Sequence, residues 1–141
     1  MTTTRGARTP RELLSAFVAR VAARDVAGIA GSYAADAVVS LPRGREAAGS
    51  QAIEGAYAAA LAGGAPLAVG RADDAAALGL LVASARVIET GPLSMVSFTG
   101  ADGAVRTMVA WRGEDGWAWV RDGSMPRDVE AALGAGLSDV A

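Results

Sequence analysis

The chain predicts an α+β fold: three amphipathic helices, packed on one face of a curved and mostly antiparallel sheet. Three observations predict it. Apolar residues recur at helical spacing as far as Leu61, and beyond Gly64 the pattern changes to that of strands. Asp102-Gly103 and Asp115-Gly116 then divide the last three strands into successive hairpins, which makes them antiparallel.

The elements follow in order. Thr9-Pro10-Arg11-Glu12 is a capping box with Pro at the first helical position. Leu14, Phe17, Val18 and Val21 then share one face of a helix that runs to about Arg24. Asp25 caps a short second helix carrying Val26, Ile29 and Tyr33 inward. An Asp36-Ala37 turn leads into a strand at Val38–Leu41, ended by Pro42 and Gly44. Ser50 is placed to cap a third helix, which buries Ile53, Ala56, Tyr57, Ala60 and Leu61 and stops at Gly63-Gly64. Strands are expected at 67–71, 78–89, 93–99, 105–112 and 117–122. Residues 1–9 read as a disordered leader, 10–125 as a single domain and 126–141 as a tail with a weak helix around Val129 and Leu133.

Composition excludes much. The chain has 141 residues and a net charge of −2, with no basic footprint for nucleic acid or anionic lipid. No apolar run approaches membrane-span length, and the N-terminus lacks the apolar core of a signal peptide. There is no His, Cys, Lys or Asn. Cys-His and Ser-His-Asp catalysis, Schiff-base chemistry and the usual zinc ligand sets are therefore out of reach. No glycine-rich phosphate loop is present, and no calcium-loop pattern surrounds Asp73-Asp74 or Glu114-Asp115. We expect no cofactor and no metal, a cytoplasmic setting, and chemistry confined to Asp, Glu, Tyr, Arg, Ser or Thr.

The string Ala23-Arg24-Asp25-Val26-Ala27-Gly28-Ile29, then Tyr33-Ala34-Ala35-Asp36-Ala37-Val38, Pro42, Gly49 and Ala52-Ile53 leading to Tyr57 resembles the nuclear-transport-factor-2-like superfamily. The branch it resembles is the SnoaL-like one, with its polyketide cyclases, ketosteroid isomerase and limonene-epoxide-hydrolase-type enzymes. The resemblance covers roughly residues 10–125 and implies a cone-shaped, cystatin-like roll whose interior holds a small molecule. It also implies a homodimer through the open sheet face. In ketosteroid isomerase the general base, the oxyanion tyrosine and the protonated aspartate correspond to Leu41, Phe17 and Met108 of this chain. All three are apolar, so the resemblance argues against classical steroid isomerisation.

Phe17, Tyr33, Leu41, Met108, Trp111 and Trp119 are the candidate pocket lining, although any single one of them is more often ordinary core. Alternation along the last strand, with Trp119 inward, would turn Trp117 and Arg121 inward and leave Asp122 outward or at the mouth. Arg86 and Arg106 share that ambiguity on other strands. Asp122 is the candidate acid or base, with Tyr57 or Arg121 polarising a substrate oxygen. Three functions fit: a cofactor-free cyclase, isomerase or epoxide hydrolase acting on an apolar polyketide-like or terpenoid-like molecule; a non-catalytic carrier of such a ligand; and a dimeric association module.

Overall fold

The computed structural model describes residues 6–41, 45–63, 69, 74–99 and 105–122. The expected strand at 67–71, the Pro42–Gly44 loop, the Ala101–Gly103 turn and the tail at 126–141 lie outside these residues or largely so. Helix α1 spans Pro10–Ala22, α2 Val26–Gly31, α3 Ser50–Ala62 and α4 Ala75–Ser84. The strands are β1 Tyr33–Ser40, β2 Glu46–Ala48, β3 Arg86–Thr90, β4 Leu93–Thr99, β5 Val105–Gly113 and β6 Gly116–Asp122. They form one sheet in the order β2-β1-β6-β5-β4-β3. Among the described strands, only the β1–β6 pairing is parallel.

Capping explains where the helices begin. Thr9 accepts from the Glu12 amide, Asp25 from that of Gly28 and Asp74 from that of Ala77. Each satisfies a donor that the first helical turn leaves open. Ser50 does not cap α3: Gly49 holds the N-cap position at φ +86° with no side-chain cap bond, and Ser50 is the first helical residue.

Two expectations are corrected here. Tyr33, expected on the second helix, and the expected Asp36-Ala37 turn all lie within β1. Residues 78–84 are helical, because AAALGLLVAS is rich in Ala and Leu, has one β-branched residue and is capped by Asp74. Only the second half of the expected 78–89 strand forms one. Gly6 and Ala7 join the β5–β6 end. Gly6 donates to the Asp115 carbonyl at 2.6 Å, and Trp117 donates to that of Ala7 at 2.9 Å.

Arg11 ties two helices together. Its guanidinium donates to the carbonyls of Val82 (2.8 Å) and Ala85 (2.7 Å), closing the C-terminal end of α4 from the side of α1. Charge-assisted donors at helix-terminal carbonyls are the stronger kind. The core lies between the helices and one face of the sheet. Leu14, Phe17, Val21, Ile29, Ile53, Tyr57, Leu78, Val96, Met108 and Trp119 are all fully or almost fully buried there.

Candidate functional site

Strand registers define the inner face of the sheet row by row, since residues opposite one another across a ladder share a face. One row runs Ser94, Ala110, Trp119, Tyr33. The next runs Val96, Met108, Asp122, Val39 and Ala47. A third pairs Phe98 with Arg106. Every residue in these rows whose exposure is described is buried.

Phe17, from α1, is the hub of the aromatic cluster above the first row. Its ring meets Tyr33, Tyr57 and Trp119 edge-on, with centroids 6.1, 6.2 and 6.0 Å away. Such edge-to-face pairs are favoured by the ring quadrupoles. The Tyr33 and Tyr57 hydroxyls are 2.7 Å apart, so two polar tips meet inside an apolar shell.

Two polar atoms in the first row have no hydrogen-bond partner among the described residues: Ser94 Oγ and Trp119 Nε1. Their residues are 1% and 0% exposed. A buried donor left unsatisfied costs about 1–3 kcal/mol, so such groups ask for an explanation.

The end of β6 departs from simple alternation. Ala110 pairs with Trp119, but Val109 pairs with Arg121, so Val120 is an extra residue in a β-bulge. β1 is irregular at the same level, between Tyr33 and Val38. The bulge exchanges the two faces beyond it. Arg121, expected inward, has a side chain 58% exposed and stands 3.9 Å from Glu46. Asp122, expected outward or at the mouth, takes the register position between Met108 and Val39, both 0% exposed.

Other candidates sort as follows. Phe17, Tyr33, Tyr57, Met108 and Trp119 lie on the inner side, and Leu41 is half-buried against the core. Trp111 is corrected: it is 48% exposed on the outer face, opposite Leu93. Of the two ambiguous arginines, Arg86 is exposed and Arg106 is 2% exposed. Sequence reasoning left the direction of Arg106 open. The signal was available, because Arg106, Met108 and Ala110 share a parity that puts them on one face. Ser94 was missed entirely, and only its register shows that it belongs to the row of Trp119.

Among the described residues no three His, Cys, Asp or Glu side chains group as a metal site would need. No helix among them is long and apolar enough to cross a membrane. A pocket of about 200 Å³ lies outside the core, lined by Glu12, Arg20, Ser32 and Trp117 among others. There Arg20 donates to Ser32 Oγ at 2.7 Å, and that hydroxyl donates to the Gly28 carbonyl at 3.1 Å. Those bonds brace α1 against α2.

No protein-family model and no curated protein sequence matches the chain. Solved structures do. An NTF2-like protein from Pseudomonas putida superposes with a TM-score of 0.58 at 18% identity, over 86% of this chain and 87% of its own. A candidate calcium/calmodulin-dependent protein kinase II association domain from Thiobacillus denitrificans gives 0.57 at 20% identity, over 86% and 97%. An NTF2-like protein with a cystatin-like fold from Novosphingobium aromaticivorans gives 0.54 at 19% identity, over 89% and 84%. The helix-covered sheet of this chain is the nuclear-transport-factor-2-like, cystatin-like fold.

Proposed function

We propose that this chain is a SnoaL-like, cofactor-free enzyme acting on an apolar polyketide-like or terpenoid-like molecule held between the helices and the inner face of the sheet. The observation that supports this reading best is the β6 bulge. It brings Asp122, the candidate acid or base, into register between Met108 and Val39, diagonal to the buried Arg106. Diagonal neighbours across an antiparallel pair are about 7–8 Å apart at Cα, within reach of a long side chain.

In this reading Asp122 moves the proton and the guanidinium of Arg106 faces the oxygen on which charge develops. Arg106 thus takes the polarising role first assigned to Arg121. Phe17, Tyr33, Met108 and Trp119 shape the cavity, and the paired hydroxyls of Tyr33 and Tyr57 orient the ligand. The reaction is an isomerisation or cyclisation, which needs only proton transfer and a fixed substrate geometry. Alternatively it is an epoxide hydrolysis, in which a solvent water deprotonated by Asp122 bonds to the ring carbon as its C–O bond breaks and the freed oxygen takes a proton from solvent. A cysteine-free chain suits a cytoplasmic site for such work.

The test is turnover of a panel of polycyclic ketones and terpene epoxides, followed by mass spectrometry and chiral chromatography. We expect conversion by the wild-type protein and a loss of 100-fold or more, on the order expected for a lost acid or base, in Asp122→Asn. Unchanged turnover in that variant would remove the acid–base mechanism. Tight binding without conversion would turn the reading into that of a carrier.

A second reading concerns assembly, and the outer face of the sheet supports it. Ile88, Leu93, Met95, Val105 and Trp111 stand there at 64%, 39%, 46%, 70% and 48% exposure. Together they present on the order of 500 Å² of largely apolar surface, at the upper end for a monomer, where interfaces are more often found. A standard interface buries about 800 Å² per partner, so a second copy covering this patch and its rim accounts for it. We propose a homodimer through this face. The Thiobacillus structure, named for association, makes assembly through this fold a natural comparison.

A further inference from the structure

The proposed acid–base apparatus uses the second and third rows of the inner face and leaves two polar atoms of the first row unexplained. That row carries two buried polar groups flanking a small residue: Ser94, then Ala110, then Trp119. Neither Ser94 Oγ nor Trp119 Nε1 has a hydrogen-bond partner among the described residues. Neither is positioned by accident of flexibility. Trp119 is clamped edge-on by Phe17, and its backbone amide donates to the Ser32 carbonyl at 2.9 Å. Ser94 sits inside a regular ladder between β3 and β5.

An indole N–H is a donor only, and a serine hydroxyl can donate or accept. Their common complement is therefore an acceptor, and Ala110 between them keeps the intervening position small. We infer that Trp119 Nε1–H and the Ser94 hydroxyl form a donor pair selecting ligands that carry a carbonyl oxygen over hydrocarbons of the same shape. The pair lies one row from Asp122, about 7 Å along the strands, so the oxygen it holds sits a ring or so from the reacting atoms. It acts as a specificity anchor. This inference rests on the pocket reading above.

The probes are 2-acetylnaphthalene and 2-ethylnaphthalene, which differ in the carbonyl and little else. Binding is followed by the indole ¹H–¹⁵N resonances, with Trp111 and Trp117 as internal references. We expect the ketone to bind about tenfold more tightly than the hydrocarbon, the usual discrimination for one buried hydrogen bond. The Trp119 indole resonance should shift with the ketone and hold with the hydrocarbon.

Trp119→Phe, which keeps a ring and removes the N–H, should erase the preference. Ser94→Ala should reduce it. The quantity compared is the ketone-to-hydrocarbon affinity ratio within each variant, because a smaller ring in the lining weakens both probes together. Equal affinity for the two probes, or a preference that survives both substitutions, overturns the inference. So does a loss of thermal stability in both unliganded variants without ketone preference, which assigns the two groups to a structural water. A Trp119 indole signal that never moves assigns its proton to the face of the Phe17 ring. If neither probe binds, the pocket reading fails and the inference with it.

Discussion

The hydroxyls of Tyr33 and Tyr57 lie 2.7 Å apart inside the core, joining the first residue of β1 to the middle of α3. Both residues are buried, at 6% and 1% exposure, so the bond is shielded from water. Removing either hydroxyl should cost about 1–2 kcal/mol, as expected for a buried neutral hydrogen bond. The double variant Tyr33→Phe/Tyr57→Phe should cost less than the sum of the singles. A double-mutant cycle by urea denaturation measures the coupling, expected near 1 kcal/mol. Additive losses would show that the two hydroxyls act independently.

On the opposite side of the sheet, Trp111 pairs with Leu93 and stands half out of the surface. If a second copy covers this face, Trp111→Ser should weaken self-association by roughly 10-fold or more, since aromatic anchors dominate interfaces. The same change should leave the monomer's fold within about 0.5 kcal/mol. Sedimentation equilibrium across a concentration series checks the first expectation. A wild-type protein that stays monomeric throughout would dismiss the homodimer.

Much of this fold was legible in the residues themselves. Thr9, Asp25 and the apolar face through Phe17 mark the first two helices, and Asp115-Gly116 marks the last hairpin. Two features were not legible, for physical reasons. The Leu78–Ser84 run is apolar without clear periodicity, and a short apolar run suits a buried strand as well as a helix. The bulge at Val120 has no local signature of glycine or proline, because it is set by pairing with β5. That one residue decides which of Arg121 and Asp122 takes the register position opposite Met108 and Val39, so the site could not be read by counting in twos.

Glycines give two opposite predictions. Gly79 lies inside α4, and a Cβ built there meets nothing within 4 Å. Gly79→Ala should stabilise the protein by about 0.5–1 kcal/mol, by removing backbone freedom from the unfolded chain. Gly116 has φ +119° and would bring a Cβ to 2.6 Å from the Ala7 carbonyl oxygen. Gly116→Ala should therefore destabilise by about 2 kcal/mol or more, combining strain with a backbone clash. Thermal melts of the two variants should move in opposite directions.

The bulge can be tested without knowing the ligand. Deleting Val120 removes the extra residue alone, so β6 would run on regularly from Trp119 with Arg121 still opposite Val109 and Asp122 still opposite Met108 and Val39. Arg121 would keep its exposed place near Glu46, and no charge would change faces. The deletion should therefore cost no more than about 1–2 kcal/mol, the range for a local change of twist. Arg121→Leu in the intact chain should cost within about 0.5 kcal/mol, because the Arg121–Glu46 pair is 58% exposed on both sides and held at 3.9 Å. Urea denaturation of the deletion, of Arg121→Leu and of the two combined checks both expectations. A deletion that costs about 3 kcal/mol or more, and that Arg121→Leu rescues, would show an arginine forced among buried residues. Val120 would then not be the extra residue, and Asp122 would lose its claim to the inner row.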